Sequence, residues 1–464
     1  MRLRNRLKSA APAALLAAAA LLGACDQPLE VDPDSQIPFE EALDSPDEVA
    51  AGVRGIYDAM QADGGYNRNL LVYPDLYADN LAFTGTFDTD SEVADRAVQP
   101  SNSALDGIWG TAYEAINRAN NVITSIPEVA GISEDDAAQY QGEAQFLRAL
   151  NYHNLVRWFG GVPLVLEPNW AVGDDENTFA PRATQAQVYA RIETDLVSAV
   201  ALLPATSTDF RATSGAARAL LARVYLDQGK NAQARDAATA VISSGRHALT
   251  TPFSNLWAVE NSPESILSIQ YSVNDFNELA FWFFPSDFGG RRGFAPTADL
   301  AGTYEDEGDT ERYEATVGFY RSGTRRYGVK YFRIATGEDN VIVLRLAEMY
   351  LIRAEANARL GAPTATVLAD INVVRARAGV APLTAESIDD GDAGTSVQDE
   401  LLMAVLEERR LEFAMEGHRF FDLRRILGPA GAAEFLEIPE FRLLFPVPQS
   451  ERDANPNLTQ NPGY

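Results

Sequence analysis

The sequence predicts a mainly α-helical protein: a scaffold of degenerate tetratricopeptide-like helix pairs, interrupted by a loop-rich, partly β insert. Three observations carry this. Long stretches repeat apolar residues at helical spacing. Two of them, from Gly215 and from Val341, share a layout of small residues, a mid-helix aromatic (Tyr225, Tyr350), a short glycine turn and a second helix. Between about residues 252 and 340 that period disappears, replaced by aromatics, glycine and arginine.

The chain begins with basic Arg2, Arg4, Arg6 and Lys8, then an apolar run from about Ala10, then Gly23 and Ala24. This is the layout of a secretory signal, and the run is short of the roughly 20 residues that span a bilayer. We expect residues 1–24 to be a signal peptide. Leu22-Gly23-Ala24-Cys25 resembles the lipobox of bacterial lipoproteins, which would make the single cysteine a lipidation site; the alternative is a free thiol. Several acyl chains on one residue would anchor the protein stably. From Asp26 to Glu40, five acidic residues and three prolines imply an extended tether, so residues 25–40 read as lipidated cysteine and acidic leash.

With Cys25 acylated no disulfide can form, so stability must come from the core. The formal charge is −28, or −32 without the four basic residues ahead of Cys25. Such a surface disfavours nucleic acid and anionic headgroups and suits neutral or cationic ligands, although acidity also serves solubility alone.

Helical periodicity starts near Pro46, where Ser45 can cap and Val49, Val53, Ile56 and Met60 form a stripe. "EAQFLRALNYHNLVRWFGG" puts Phe146, Leu150, Leu155 and Phe159 near one face and stops at Gly160-Gly161. "GAARALLARVYLDQGKNAQARDAATAVISSG" reads as two helices joined at Gly229, and "VIVLRLAEMYLIRAEANARLGAPTATVLADINVVRARAG" as two joined at Gly361. "DELLMAVLEERRLEFAMEGHRFFDLRRI" is an amphipathic pair hinged about Gly417. In contrast, "ESILSIQYSV" alternates like a strand. "GGYNRNLLVYPDLYADNLAFTGTF", "FWFFPSDFGGRRGFAPT" and "VGFYRSGTRRYGVKYFRI" read as long irregular loops.

Chemistry-bearing patterns are few. His153, His247 and His418 are far apart, no spacing suggests a metal site, and neither a phosphate loop nor a nucleophile elbow occurs. Neither a cofactor nor a metal is implied. Glu348 and Glu355 lie two helical turns apart and would make an acid/base pair for a glycan hydrolase. The competing reading is structural: buried glutamates facing arginines, with Glu408, Glu412 and Glu416 available to Arg409, Arg410 and Arg419. The aromatic loops are the better candidates for binding, since ring faces stack on sugar C–H faces or apolar side chains while polar groups fix hydroxyls. Tyr66, Tyr73, Tyr77, Trp282, Phe283, Phe284, Tyr320 and Tyr327 offer faces. Asn67, Asp79, Asn80, Asp287, Arg291 and Arg325 offer hydrogen bonds. The alternative is that each aromatic anchors its own loop.

Four strings occur in order: "EAQFLRALNYHNLVRWFGGVPLV", "VLRLAEMYLIRAEA", "EERRLEFAMEGHRFFDLRR" and the ending "FPVPQSERDANPNLTQNPGY". Together with the lipobox they are similar to the marks of the SusD/RagB family of outer-membrane nutrient-binding lipoproteins. The resemblance implies four tetratricopeptide-like units and a non-enzymatic, surface-exposed protein that binds an oligosaccharide or, in some members, a peptide. It also implies a role as lid over a SusC-like TonB-dependent barrel, held at the outer membrane by lipid on Cys25. Glu143, Phe146, Arg148, Glu348, Glu355, Glu408, Arg409, Glu412, Phe413, Arg419, Asp422 and Arg424 then look like fold-maintaining positions. Asp26 departs from the pattern, since an aspartate after the lipid cysteine marks inner-membrane retention in some bacteria. On this reading residues 41–260 form an amino-terminal helical region with ligand loops, 261–340 a loop-rich ligand region and 341–464 a carboxy-terminal helical region. A helical scaffold without small-molecule ligand is a third reading.

Overall fold

The computed structural model describes residues 43–168, 179–207, 211–388 and 395–464. The signal segment, Cys25 and the acidic leash lie outside the described residues.

Helix α1 (Pro46–Ala59) starts where Ser45 and Glu48 form a reciprocal capping box, with Pro46 in the first turn. It buries Val49, Val53 and Ile56. Helices α2 (Ser103–Ser125), α3 (Glu134–Phe159) and α4 (Gln185–Leu202) are capped by Asn102, Ser133 and Thr184. Then come α5 (Ser214–Asp227) and α6 (Asn231–Ser243), turned at Gly229 with φ +70°. Helices α7 (Leu346–Arg359) and α8 (Thr364–Arg377) turn at Gly361, also φ +70°. At both turns glycine takes the left-handed conformation that L side chains resist.

Each helix from α1 to α8 packs on the next, so the four pairs form one continuous stack. The chain leaves this stack twice. Residues 60–102 loop out inside the first pair, and residues 244–340 loop out between the third and fourth; α6 nevertheless packs directly on α7. Helix α9 (Val397–Phe413) lies against α7 and α8, and α10 (Arg419–Ile426) follows it. Alanines at α7 and α8 contacts, such as Ala347 and Ala354 beside Val367 and Ile371, allow close approach.

Strands are short. β1 (Leu81–Phe83) pairs antiparallel with β3 (Phe294–Pro296), β2 (Ser265–Ile269) with β6 (Val341–Arg345), and β4 (Val317–Tyr320) with β5 (Arg325–Gly328). β6 corrects the sequence reading: "VIVLR" is a fully buried strand, and helix begins only at Leu346. A short apolar run buried on both faces has no period that separates strand from helix. The loop segments likewise contain helices at Asn69–Tyr77, Leu279–Phe283, Ala298–Asp306 and Thr310–Thr316. Asn69–Tyr77 buries nearly every side chain and carries Pro74 internally, so neither amphipathicity nor propensity marked it.

Buried ion pairs tie the stack together. Arg148 on α3 holds Asp195 on α4 bidentately at 2.9 Å and reaches Asn120 on α2 at 2.8 Å, linking three helices. Arg425 on α10 holds Glu355 on α7 at 2.9 and 2.8 Å. Buried ion pairs among these motif glutamates exist as expected, but with other partners. Glu408 takes Arg312 and Arg375, Glu412 takes Arg312, Arg345 and Arg377, and Glu416 takes Arg345 and Lys330. Arg409 pairs with Asp422, Arg419 with Asp79, and Arg410 with Asp79, Asp299 and, at the long distance of 3.7 Å, Glu407. Most of these partners come from the insert and from α8, which helical spacing within α9 and α10 does not reveal.

Candidate functional site

The β1–β3 pairing builds the candidate site. Leu81 faces Pro296, Ala82 faces Ala295 and Phe83 faces Phe294, and Thr84 N donates to Gly293 O at 2.8 Å. This register brings the segment after β1, with Phe87, beside the helix Leu279–Phe283 and the loop to Arg291. Trp282 sits at the junction. Its Nε1 donates to Glu278 Oε2 at 3.0 Å, fixing the ring. Gly293 lets it pack there, since a Cβ at 293 would stand 3.0 Å from Trp282 Cε3.

Around this indole the surface is aromatic and cationic. The Arg68 guanidinium lies 4.2 Å from the Trp282 ring, and Arg291 lies 4.2 Å from the Phe87 ring and 5.4 Å from Trp282. Arg68 is ion-paired with Asp90, whose Oδ1 also accepts from Tyr73 Oη at 2.8 Å. Phe87 and Phe281 flank Trp282 at centroid distances of 6.0 and 5.6 Å. They remain 41 % and 38 % exposed, an unusual state for two neighbouring phenylalanines. Beside Phe281 opens a groove of about 420 Å³, lined by Val273, Phe276, Glu278, Phe281 and residues 334–337.

A second aromatic group sits on the β4–β5 hairpin. Tyr327 meets Phe284 at 5.0 Å and Phe288 at 5.8 Å, and Tyr320 lies 6.0 Å from Tyr327. Arg292 and Arg321 approach Tyr320 at 5.6 and 5.5 Å. Asp287 faces Arg321 at 3.9 Å, and Arg325 is exposed opposite Tyr320.

The structure divides the sequence candidates. Trp282, Phe284, Asp287, Arg291, Tyr320, Arg325 and Tyr327 come together on this one region, although the Trp282 and Tyr320 side chains are themselves buried, at 7 % and 9 % exposure, beneath the exposed Phe87 and Phe281 and beside Arg292 and Arg321 respectively. Phe283 is buried, nearly parallel to Tyr331. Tyr66, Tyr73 and Tyr77 are buried too, the last donating to Arg442 O at 2.9 Å. Asn67 bridges two segments, donating to Asp63 and accepting from Glu278 N, both at 2.8 Å. Asn80 is enclosed, donating to Asp75 at 2.6 Å and accepting from Arg410 at 3.0 Å. Asp79 accepts from Arg419 at 2.7 and 2.9 Å. Burial pushes the Asp79 carboxyl up, but Arg419 and Arg410 more than offset it, so it stays below the ordinary carboxylate value. These residues are committed to contacts inside the fold. Phe87, Phe281 and Arg68 lie within the aromatic loop strings but are not among the sequence candidates; the aromatic richness of those strings is the signal that covers them.

Glu348 and Glu355 are buried, bound respectively to Arg223 and to Arg359 and Arg425. Among the described residues no group of three or more His, Cys, Asp or Glu side chains is placed to hold a metal ion. Nor is any described helix long and apolar enough to cross a membrane.

Two family models match the chain. Residues 301–437 match the SusD family, and residues 28–226 match a SusD-like family described as "Starch-binding associating with outer membrane". SusD-like protein P38 of Formosa agariphila is 27% identical over an alignment 506 positions long, gaps included, covering 97% of this chain and 98% of its own. Among solved structures, one titled "Laminarin binding SusD-like protein" superposes with a TM-score of 0.76 at 27% identity, covering 90% of this chain and 100% of its own. A SusD superfamily protein from Bacteroides vulgatus gives the same TM-score and identity, covering 90% and 99%. With helical stack, motif strings and both models in agreement, the chain belongs to the SusD/RagB family.

Proposed function

We propose that this protein is a cell-surface lipoprotein that binds an oligosaccharide at the Phe87–Trp282–Arg291 surface and passes it to a SusC-like TonB-dependent transporter. The observation that carries the reading is the pair of exposed rings, Phe87 and Phe281, set around Trp282 with Arg291 over Phe87 and Trp282. Such faces cover the apolar C–H surface of a sugar while the guanidinium bonds its hydroxyls. The family description and the laminarin-binding neighbour support a glycan as ligand.

Phe284, Asp287, Tyr320, Arg325 and Tyr327 extend the surface along an oligomer, and the groove beside Phe281 gives it depth. The protein acts without catalysis; Glu348 and Glu355 neutralise arginines inside the scaffold. Acylation at Cys25 holds it to the outer membrane facing outward, and residues 26–40 serve as the leash.

Calorimetric titration with laminarin-derived, malto- and other oligosaccharides, alongside oligopeptides, tests this. Saturable glycan binding that is weakened by Phe87→Ala and Trp282→Ala is expected. Binding of peptides alone, or of none of these by folded protein, would overturn the glycan reading. Co-purification of a large barrel protein from outer membranes tests the transporter partnership.

A further inference from the structure

A cavity of about 30 Å³ lies under the Asn69–Tyr77 helix, where that segment meets α3, α5, β6 and the turn before α10; this is room for one small species. Its polar lining is Tyr66, Asn154, Arg157, Arg223, Glu416 and His418, each less than a tenth exposed.

These groups are nearly all donors. Arg157 Nε has no hydrogen-bond partner, and the nearest acid, Asp227 Oδ2, stands 3.7 Å away, beyond bonding reach. That carboxylate is already shared by His153 at 2.9 Å and Arg425 at 3.3 Å. The Arg157 guanidinium is stacked 3.6 Å from the Phe421 ring, which fixes its plane. Arg223 spends Nε and Nη2 on Glu348 and Val343 O, which leaves Nη1. Tyr66 Oη accepts from Asn154 at 3.2 Å, so its proton is available to donate. His418 Nδ1 faces Arg409 at 3.4 Å; as the acceptor there, it puts the ring proton on Nε2.

The one lining carboxylate, Glu416, is engaged by Lys330 at 2.8 Å and by Arg345 at 2.8 and 3.0 Å. Asp227 is only a long, shared counter-charge for Arg157, and burial brings the Arg157 pKa down to about 10 despite it. The same field of arginines, with burial, holds His418 neutral.

We propose that this cavity binds a single small monovalent anion of halide size, held by Arg157 with Arg223, Tyr66 and His418 as further donors. A water molecule supplies acceptors to the same groups without neutralising Arg157, and is the competing occupant.

Crystals of the protein grown in sodium bromide, measured at the bromine edge, should show an anomalous peak in the cavity. The melting temperature should rise saturably as bromide replaces gluconate at constant ionic strength. Arg157→Gln should abolish that dependence. Tyr66→Phe, which keeps every charge and serves if Arg157→Gln does not fold, should shift the half-saturating concentration upward. Bromide peaks confined to the surface, or equal melting temperatures in the two salts, would overturn the proposal in favour of water.

Discussion

Arg223 on α5 holds Glu348 on α7 through two hydrogen bonds of 2.6 Å, Nε to Oε1 and Nη2 to Oε2. The pair joins the third helix unit to the fourth, across the point where the 244–340 insert leaves the stack. Both side chains are buried, at 8 % and 1 % exposure. Removing one partner strands the other charge. Glu348→Ala should therefore cost about 3–5 kcal/mol in urea unfolding, while Arg223→Met with Glu348→Leu should recover most of it. Were Glu348 catalytic instead, its replacement would leave stability nearly intact.

The turn before α10 is fitted to the Asn69–Tyr77 helix. Gly417 has φ +80°, and a Cβ there would stand 2.3 Å from Leu70 O. Asp75 accepts from Met415 N at 3.1 Å and from Gly417 N at 3.0 Å, closing the same contact. Gly417→Ala should lose more than about 1 kcal/mol of stability, measured by chemical denaturation, because strain and clash coincide.

His153 is wholly buried beside Asp227, and burial lowers its pKa from 6.5 to about 4. Between these values the unfolded chain takes a proton that the folded chain refuses. The contribution is therefore fully present above about pH 6.5 and is lost as pH falls toward 4. It amounts to about 3 kcal/mol. Denaturation midpoints across this range should fall with acid, and His153→Gln should flatten the profile.

The proposed glycan surface separates binding from folding. Phe87 is 41 % exposed, so Phe87→Ala should alter stability by less than about 1 kcal/mol. It should weaken oligosaccharide affinity by about five- to tenfold, read by titration calorimetry. Trp282→Ala should weaken affinity further and also destabilise, since that ring packs on Phe294 at 6.1 Å and beneath Arg68.

Parts of this architecture are written locally. Ser45 with Glu48, the stripe through Val49, Val53 and Ile56, and the turns at Gly229 and Gly361 need only neighbours within a few residues, and all appear as the sequence implies. Other parts are not local. "VIVLR" becomes a strand because Ser265–Ile269, some 75 residues earlier, lies beside it. Tyr73, Tyr77 and Asn80 look like ligand groups by composition. Only the packing of Asp90 and Arg68 on Tyr73, and of α9, α10 and the carboxy-terminal residues on Tyr77 and Asn80, turns them inward. Conversely, Phe87 and Phe281 sit in segments that read as aromatic loops, and only the folded chain sets both rings around Trp282 and leaves them exposed.

By itself the sequence determined the helix pairs, the aromatic segments and the family motifs, since each depends on short-range periodicity, turn chemistry or residue order. The tertiary structure alone decided which aromatics face solvent, which arginine meets which glutamate, and that Arg157 is left against a cavity. Those outcomes depend on contacts between residues tens to hundreds of positions apart, and burial and charge pairing are properties of that assembly rather than of any segment within it.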